Sequence, residues 1–187
     1  MKYIDLRLAI LLLGQAVSCS TSHALPDAIV ATSIEQGWAA STVNTLNAIP
    51  RNERIVLDAT PPVRQRITVF TDVECPYCRK FHAQVEQYLQ AGIEVQYLFY
   101  PRAGLQSRPF SEAVSVWCAE DRLATLALAL NGSAFPHKSC DSPVARHYEI
   151  AVQLGLLGTP AVITEDGKVM YGALPVSTLL ERLRTEK

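Results

Sequence analysis

TDVECPYCRKFH, residues 71–82, sets two cysteines three positions apart where an apolar, β-branched run, RITVFT (66–71), gives way to helix-forming sequence. The run has the composition of a strand covered on both faces, and Pro76 stands where the first turn of a helix tolerates a missing N–H. A strand, a turn and a helix start place the first thiol, Cys75, where unpaired backbone N–H groups and the positive end of a helix stabilise a sulfur anion. Cys75 is the expected nucleophile. Cys78, one helical turn further on, is within reach of a mixed disulfide formed at Cys75 and is expected to be the more buried, resolving thiol. Arg79 and Lys80 add positive charge that favours the anion. The same C-x-x-C spacing serves half of a zinc site. No second C-x-x-C and no H-x3-H occurs in the chain, so neither a metal nor another cofactor is expected.

Upstream, RIVLDA (54–59) reads as a short strand stopped by Thr60-Pro61-Pro62. Residues 25–49 are polar with scattered apolar positions. Ile34, Trp38, Leu46 and Ile49 share one face of a helix that Pro50 would end, which makes Trp38 a packing residue. Gly37 and the run of Ser and Thr leave a loosely docked helix or a linker equally open. Downstream, a helix over 81–90 aligns Phe81, Val85, Tyr88 and Leu89 and ends at Gly92, and VQYLFY (95–100) is a second strand stopped by Pro101. Strand, helix and strand around the two cysteines predict a βαβ unit with a right-handed crossover.

Residues 111–130 are rich in helix formers, and 123–130 is apolar nearly all round, the pattern of a buried segment too short to span a membrane. Asn131-Gly132-Ser133 marks a turn, and 144–154 reads as a helix ending at Gly155. Residues 161–164 and 169–172 form a hairpin about Asp166-Gly167, and a last helix, 176–184, follows Pro175. This order is that of an α/β chain with a thioredoxin fold carrying a helical insertion.

The chain has 187 residues, 49% of them apolar, enough for one sizeable core. Residues 1–24 read as an export signal: Lys2 and Arg7 flank a short apolar run, 8–17, and Ser22-His23-Ala24 offers small residues for cleavage. The run falls short of the roughly 20 residues a membrane span needs. The expected division is a signal over 1–24, a short segment or linker helix over 25–53 and a catalytic domain over 54–187. Ala16-Val17-Ser18-Cys19 also fits a weak lipoprotein box, with Cys19 lipidated. Either route leaves Cys75, Cys78, Cys118 and Cys140 of the five cysteines, an even number that suggests two pairs in an oxidising compartment. A net charge of -1 gives no electrostatic case for nucleic acid. His82, His137 and His147 show no ligand spacing and read as surface or helix residues, with a modulating role on the Cys75 anion open for His82.

Taken together, ITVFTDVECPYCRKF (67–81), Tyr100-Pro101-Arg102 with Gly104-Leu105, Trp117-Cys118-Ala119, Ser139-Cys140-Asp141 and VQLGLLGTPAV (152–162) resemble the periplasmic DsbC/DsbG disulfide isomerases over residues 49–181. The resemblance implies that Cys75 and Cys78 are the redox pair and that Cys118 and Cys140 form a structural disulfide, worth roughly 3 kcal/mol by the chain-entropy argument. Two buried free thiols are the alternative. It also implies that Thr159-Pro160 is the cis-proline loop facing the thiols after the helical insertion, where Pro76, Tyr77, Thr159 and Pro160 would meet an extended substrate chain. Without it, Gly158-Thr159-Pro160 is only a turn before a strand.

The resemblance further implies a periplasmic location, exported cysteine-containing proteins as substrates and a DsbD-type membrane electron donor. The family's N-terminal dimerisation domain has no counterpart in the 50 residues between the expected cleavage site and Cys75, so a monomer with weak isomerase activity is expected. Thioredoxin keeps a carboxylate where this chain has Val69, which leaves Glu74, Asp72 or solvent as the base for Cys78. The leading expectation is a disulfide reductase or isomerase. A net disulfide oxidase and a chaperone or assembly factor for an exported partner are the alternatives.

Overall fold

The computed structural model describes residues 27–184, with side chains from Glu35 onward. The signal reading of 1–24 and the fate of Cys19 lie outside these residues. Five strands, β1 (Ile55–Leu57), β2 (Gln65–Thr71), β3 (Ile93–Phe99), β4 (Ala161–Thr164) and β5 (Val169–Tyr171), form one sheet in the order β1-β3-β2-β4-β5. β2 and β3 are parallel, with Gln65 opposite Ile93 and Thr71 opposite Phe99, and the other neighbours are antiparallel. A parallel pair needs a crossover, and here α2 (Pro76–His82) and α3 (Val85–Gln90) supply it.

The single helix expected over 81–90 is therefore two. Ala83 N–H reaches back to both Arg79 O and Phe81 O, and Gln84 N–H goes to Phe81 O, a tightening to i−3 bonds that ends α2. Phe81 and Tyr88, one from each helix, still meet with ring centroids 4.9 Å apart. Gly92 then reverses the chain at φ +81°, where a Cβ would come within 2.8 Å of Pro62 O.

Strand alternation sorts the core into two layers. Ile67 and Val69 of β2, with Val95, Tyr97 and Phe99 of β3, face Phe81 and Tyr88 of the crossover and Leu179 and Leu183 of α7 (Val176–Arg184). Phe70, Leu98, Ala161 and Ile163 face the other way, onto Ile150 and Ala151 of α6 (Val144–Gln153) and onto Leu46 and Ile49. Leu46 belongs to α1 (Asp27–Asn47), which is a helix despite Gly37. It docks at its C-terminal end and against the β4–β5 turn, where Gly167 approaches Ala39 so closely that a Cβ would overlap the Ala39 carbonyl. Trp38 is 40% exposed and does not pack as expected, because the helix meets the sheet only beyond that point.

The insertion consists of α4 (Arg108–Trp117) and α5 (Arg122–Leu130), capped by Ser107 and Asp121. Leu126, Ala129 and Leu130 of α5 are buried, while Leu123 and Leu128 are exposed. The all-apolar run thus docks by one face only, against α2 and α4 at the rim of the domain. Cys118, the C-cap of α4, is bonded to Cys140, with the two Cα atoms 5.7 Å apart. His147, a helix residue of α6, is fully buried. Its ring stacks near Phe99, and its Nδ1 accepts the Phe99 N–H at 3.4 Å. Burial holds it down to about 4.

At the other end of the second layer the covering is made by arginines. Arg54 donates to Leu46 O, to Ile49 O at 3.0 Å, to Thr68 Oγ1 at 3.3 Å and to Gln96 Oε1. These bonds tie the end of α1 to β2 and β3 and satisfy carbonyls that the helix leaves open. Replacing Arg54 with Met, which keeps the stem and removes the donors, is expected to cost about 2 kcal/mol. The check is the midpoint of urea unfolding together with proteolysis of α1. An unchanged midpoint would show that water serves those carbonyls equally well.

Candidate active site

The C-terminal ends of β2 and β3 lie side by side, and the chain leaves β2 through Asp72, Val73 and Glu74 into Cys75. Cys75 N–H donates to Asp72 O at 3.0 Å, which closes the turn. Cys75 is the N-cap of α2 in an extended conformation, with Pro76 at the first helical position. Its side chain thus faces the open N–H groups of the first helical turn. Both cysteines are free thiols, and both are buried, at 3% exposure for Cys75 and 1% for Cys78. Cys78 is the more buried of the two, as expected.

Burial and hydrogen bonding act on the two sulfurs in opposite senses. Cys75 is held down to about 5, first by a hydrogen bond from the Cys78 thiol and then, against the opposing effect of burial, by Thr159 and the N–H groups of Cys78 and Tyr77. Cys78 is pushed up from the ordinary thiol range, first by burial and then by its commitment to Cys75. Across the site, the Thr159–Pro160 peptide bond is cis, and Cys75 Sγ donates to Thr159 O at 3.2 Å in its protonated state. The loop and the thiol are therefore in direct contact. Tyr77 is 59% exposed beside them, with Lys80 Nζ 5.3 Å from its ring centre.

Several nearby groups have other roles than the sequence suggested. Arg79 Nε donates to Leu130 O, which anchors α2 to α5. His82 Nδ1 lies 3.1 Å from Tyr97 Oη. The Asp72 carboxylate is buried and accepts from Glu74 N–H at 3.0 Å, from Arg102 N–H at 3.1 Å and from Arg102 Nε at 3.0 Å. Glu74 is paired with Arg108. Both carboxylates weighed as a base for Cys78 are thus engaged by arginines, and what Asp72 offers Cys78 Sγ is its main-chain N–H, at 3.4 Å. The Asp72–Arg102 pair was not anticipated, although Arg102 lies within the Tyr100-Pro101-Arg102 motif. No cluster of three or more His, Cys, Asp and Glu side chains suited to a metal ion occurs among the described residues.

The main concavities do not take in the thiols. One of about 400 Å³ lies between α1 and the sheet, lined by Arg51, Arg54, Arg66 and Gln96 among others. Another, of about 670 Å³, lies by Pro62, Gly92 and Leu183. Cys75 instead meets the Thr159–Pro160 loop at the start of α2, outside both of these concavities. No helix among the described residues is long and apolar enough to cross a membrane.

Comparison with known proteins agrees with this geometry. The thioredoxin-like domain family matches residues 58–187. The thiol:disulfide interchange protein DsbC of Salmonella typhimurium is 42% identical over 130 residues, 70% of this chain and 54% of that protein. DsbC of Escherichia coli is 41% identical over 138 residues, 74% of this chain and 58% of that protein. The chain thus spans little more than half the length of these relatives. Among solved structures, a disulfide interchange protein from Neisseria gonorrhoeae superposes with a TM-score of 0.63 at 27% identity, over 73% of this chain and 97% of that one. The catalytic domain of Proteus mirabilis ScsC shares the fold, with a TM-score of 0.62 at 22% identity over 80% of this chain and 97% of that one. By its sheet order, the cis-proline loop set against the C-x-x-C pair and the family match over 58–187, the chain belongs to the thioredoxin-like family.

Proposed function

We propose that the protein is a periplasmic thiol:disulfide oxidoreductase acting on exported cysteine-containing proteins, in the reductase or isomerase direction. The observation that carries this reading is the asymmetry of the two sulfurs: Cys75 is held near 5, so it is an anion at neutral pH, while the Cys78 thiol is pushed up. A thiolate attacks disulfides and a thiol does not. Cys75 attacks one sulfur of a substrate disulfide, the other substrate sulfur leaves, and a mixed disulfide forms. Cys78 then either resolves it, which reduces the substrate, or waits while a second substrate thiol does so, which isomerises it.

Thr159 and Pro160 carry the main-chain edge along which the substrate lies, and Pro76 and the exposed Tyr77 border it on the helix side. In this reading Cys118–Cys140 is a structural bridge outside the exchange chemistry. The support from relatives lies in the name shared by the DsbC proteins at 41–42% identity. A net oxidase is the second reading. It is favoured by the same low value at Cys75, since stabilising the thiolate of the reduced form makes the disulfide more oxidising. The reduction potential together with refolding of a scrambled disulfide substrate decides between them. Rescue of the scrambled substrate supports the isomerase direction, and oxidation of a reduced substrate without rescue overturns it. The reading also takes a DsbD-type membrane donor as the source of electrons and a monomer as the working state. Light scattering at micromolar concentration tests the latter, and a stable dimer would rule it out.

The rate of Cys75 alkylation should rise with pH with a midpoint near 5 and then level off well below the ordinary thiol range. The linkage has a definite sign. Because the folded value lies below the unfolded one, Cys75 contributes stability to the dithiol protein that is complete above about 9 and lost as pH falls through about 5. The difference in unfolding free energy between the dithiol protein and its Cys75→Ala variant should therefore grow across that window. Removing the resolving group, as in Cys78→Ser, should leave a stable mixed disulfide at Cys75, detectable by mass after exposure to oxidised glutathione. The Cys75→Ser variant should form none.

A further inference from the structure

Four side-chain polar atoms among the described residues are buried without a hydrogen-bond partner: Thr42 Oγ1, Thr71 Oγ1, Thr159 Oγ1 and His147 Nε2. Burying a hydroxyl without a partner is unfavourable, so each such atom calls for a reason. Thr159 belongs to the Cys75 contact already described. Thr71 has no such explanation. It is the last residue of β2 and 1% exposed, and its main chain is fixed because its C=O accepts Tyr100 N–H at 2.7 Å. By strand alternation its side chain shares a face with Ile67 and Val69, the face against which Cys78 and Phe81 pack. The next residue, Asp72, directs its N–H at Cys78 Sγ from 3.4 Å. The unpaired hydroxyl is therefore beside the buried sulfur that carries no charge at rest and must carry one during turnover.

We propose that the Thr71 hydroxyl is a catalytic donor to Cys78 in the resolving step. This inference rests on the thiol-exchange reading above and assigns a further residue to the same site. When Cys75 holds a mixed disulfide, Cys78 loses its proton and its sulfur anion attacks Cys75 Sγ. The Cys75–Cys78 bond forms, the bond from Cys75 to the substrate sulfur breaks, and the substrate sulfur leaves with the electron pair of that bond. It takes up one proton through solvent in place of the one Cys78 gave. No net oxidant is consumed beyond the substrate disulfide itself. During the attack the Thr71 O–H turns to the Cys78 sulfur and joins the Asp72 N–H as a second donor, and its own proton stays on oxygen. The direction of its influence on Cys78 agrees, since the Thr71 side chain and the Asp72 N–H both favour the charged sulfur against the burial that opposes it. A valine would fill the same space without an unpaired oxygen, so the hydroxyl is a stability cost that the resolving step turns to use.

The test compares the wild type with Thr71→Val and Thr71→Ser in single-turnover reaction with oxidised glutathione at neutral pH, quenched in acid and read by mass. In the Thr71→Val protein the Cys75–glutathione adduct should form at the wild-type rate and decay about tenfold more slowly, as for the loss of one hydrogen bond to an anion. Thr71→Ser should recover most of the decay rate. The thermal midpoint of Thr71→Val should be equal to or above that of the wild type, since the deleted hydroxyl has no partner in the resting fold. A packing role for Thr71 would lower it instead. Wild-type decay in Thr71→Val, or slow decay that serine does not restore, overturns the proposal. If the wild type forms no adduct at Cys75 at all, the thiol-exchange reading fails first and the inference falls with it.

Discussion

The parallel pairing of β2 with β3 is the constraint on which the rest of the molecule depends. Two parallel neighbours cannot be joined by a tight turn, so the chain must leave the end of β2, cross a face of the sheet as helix and return to the start of β3. The departure point is necessarily a strand end followed by a helix start, and Cys75 occupies it. The cis loop at Thr159–Pro160 reaches the same place because β4 pairs antiparallel with β2 and begins where β2 ends, with Ala161 opposite Phe70. The two pairings of β2 thus bring together two segments 84 residues apart.

A sulfur anion in so buried a position needs compensation, and the structure draws it mainly from neutral donors, with the Arg102 guanidinium adding an attractive charge. Arg79 is turned to a carbonyl of α5 and Lys80 to an aromatic ring. The nearby buried carboxylate, Asp72, is matched by Arg102. What acts on the two thiols besides that charge is main-chain N–H, the opposite thiol and the neighbouring Thr71 and Thr159 side chains. Such donors are fixed by the fold itself and respond little to salt, so the asymmetry between Cys75 and Cys78 follows from the backbone path.

Much of this was legible in the sequence wherever a local rule coincided with the tertiary outcome. RITVFT is a central strand because its β-branched and aromatic content fits burial on both faces, and Asp166-Gly167 sits in the loop that turns β4 back into β5. The failures share a physical origin. Trp38 and the outer leucines of α5 look like core by composition, but composition does not say which end of a helix, or which of its faces, will find a neighbour. The break at Ala83 and Gln84 carries no Gly or Pro and is imposed by packing of the two halves onto one sheet. The links from Arg54 to α1, from Asp72 to Arg102 and from His147 to Phe99 join positions 8 to 48 residues apart. No periodicity reports contacts that the topology creates.

The two edges of the sheet, β1 and β5, are each only three residues long. Exposed strand edges are templates for any extended chain, and an edge of this length offers too few main-chain groups in register to hold one or to seed cross-β growth. A protein proposed to handle incompletely folded chains meets aggregation-prone segments routinely, and blunt edges protect it from being drawn into their β-structure. In the proposed reading, extended segments meet the protein instead at the loop at Thr159, where binding would end in exchange.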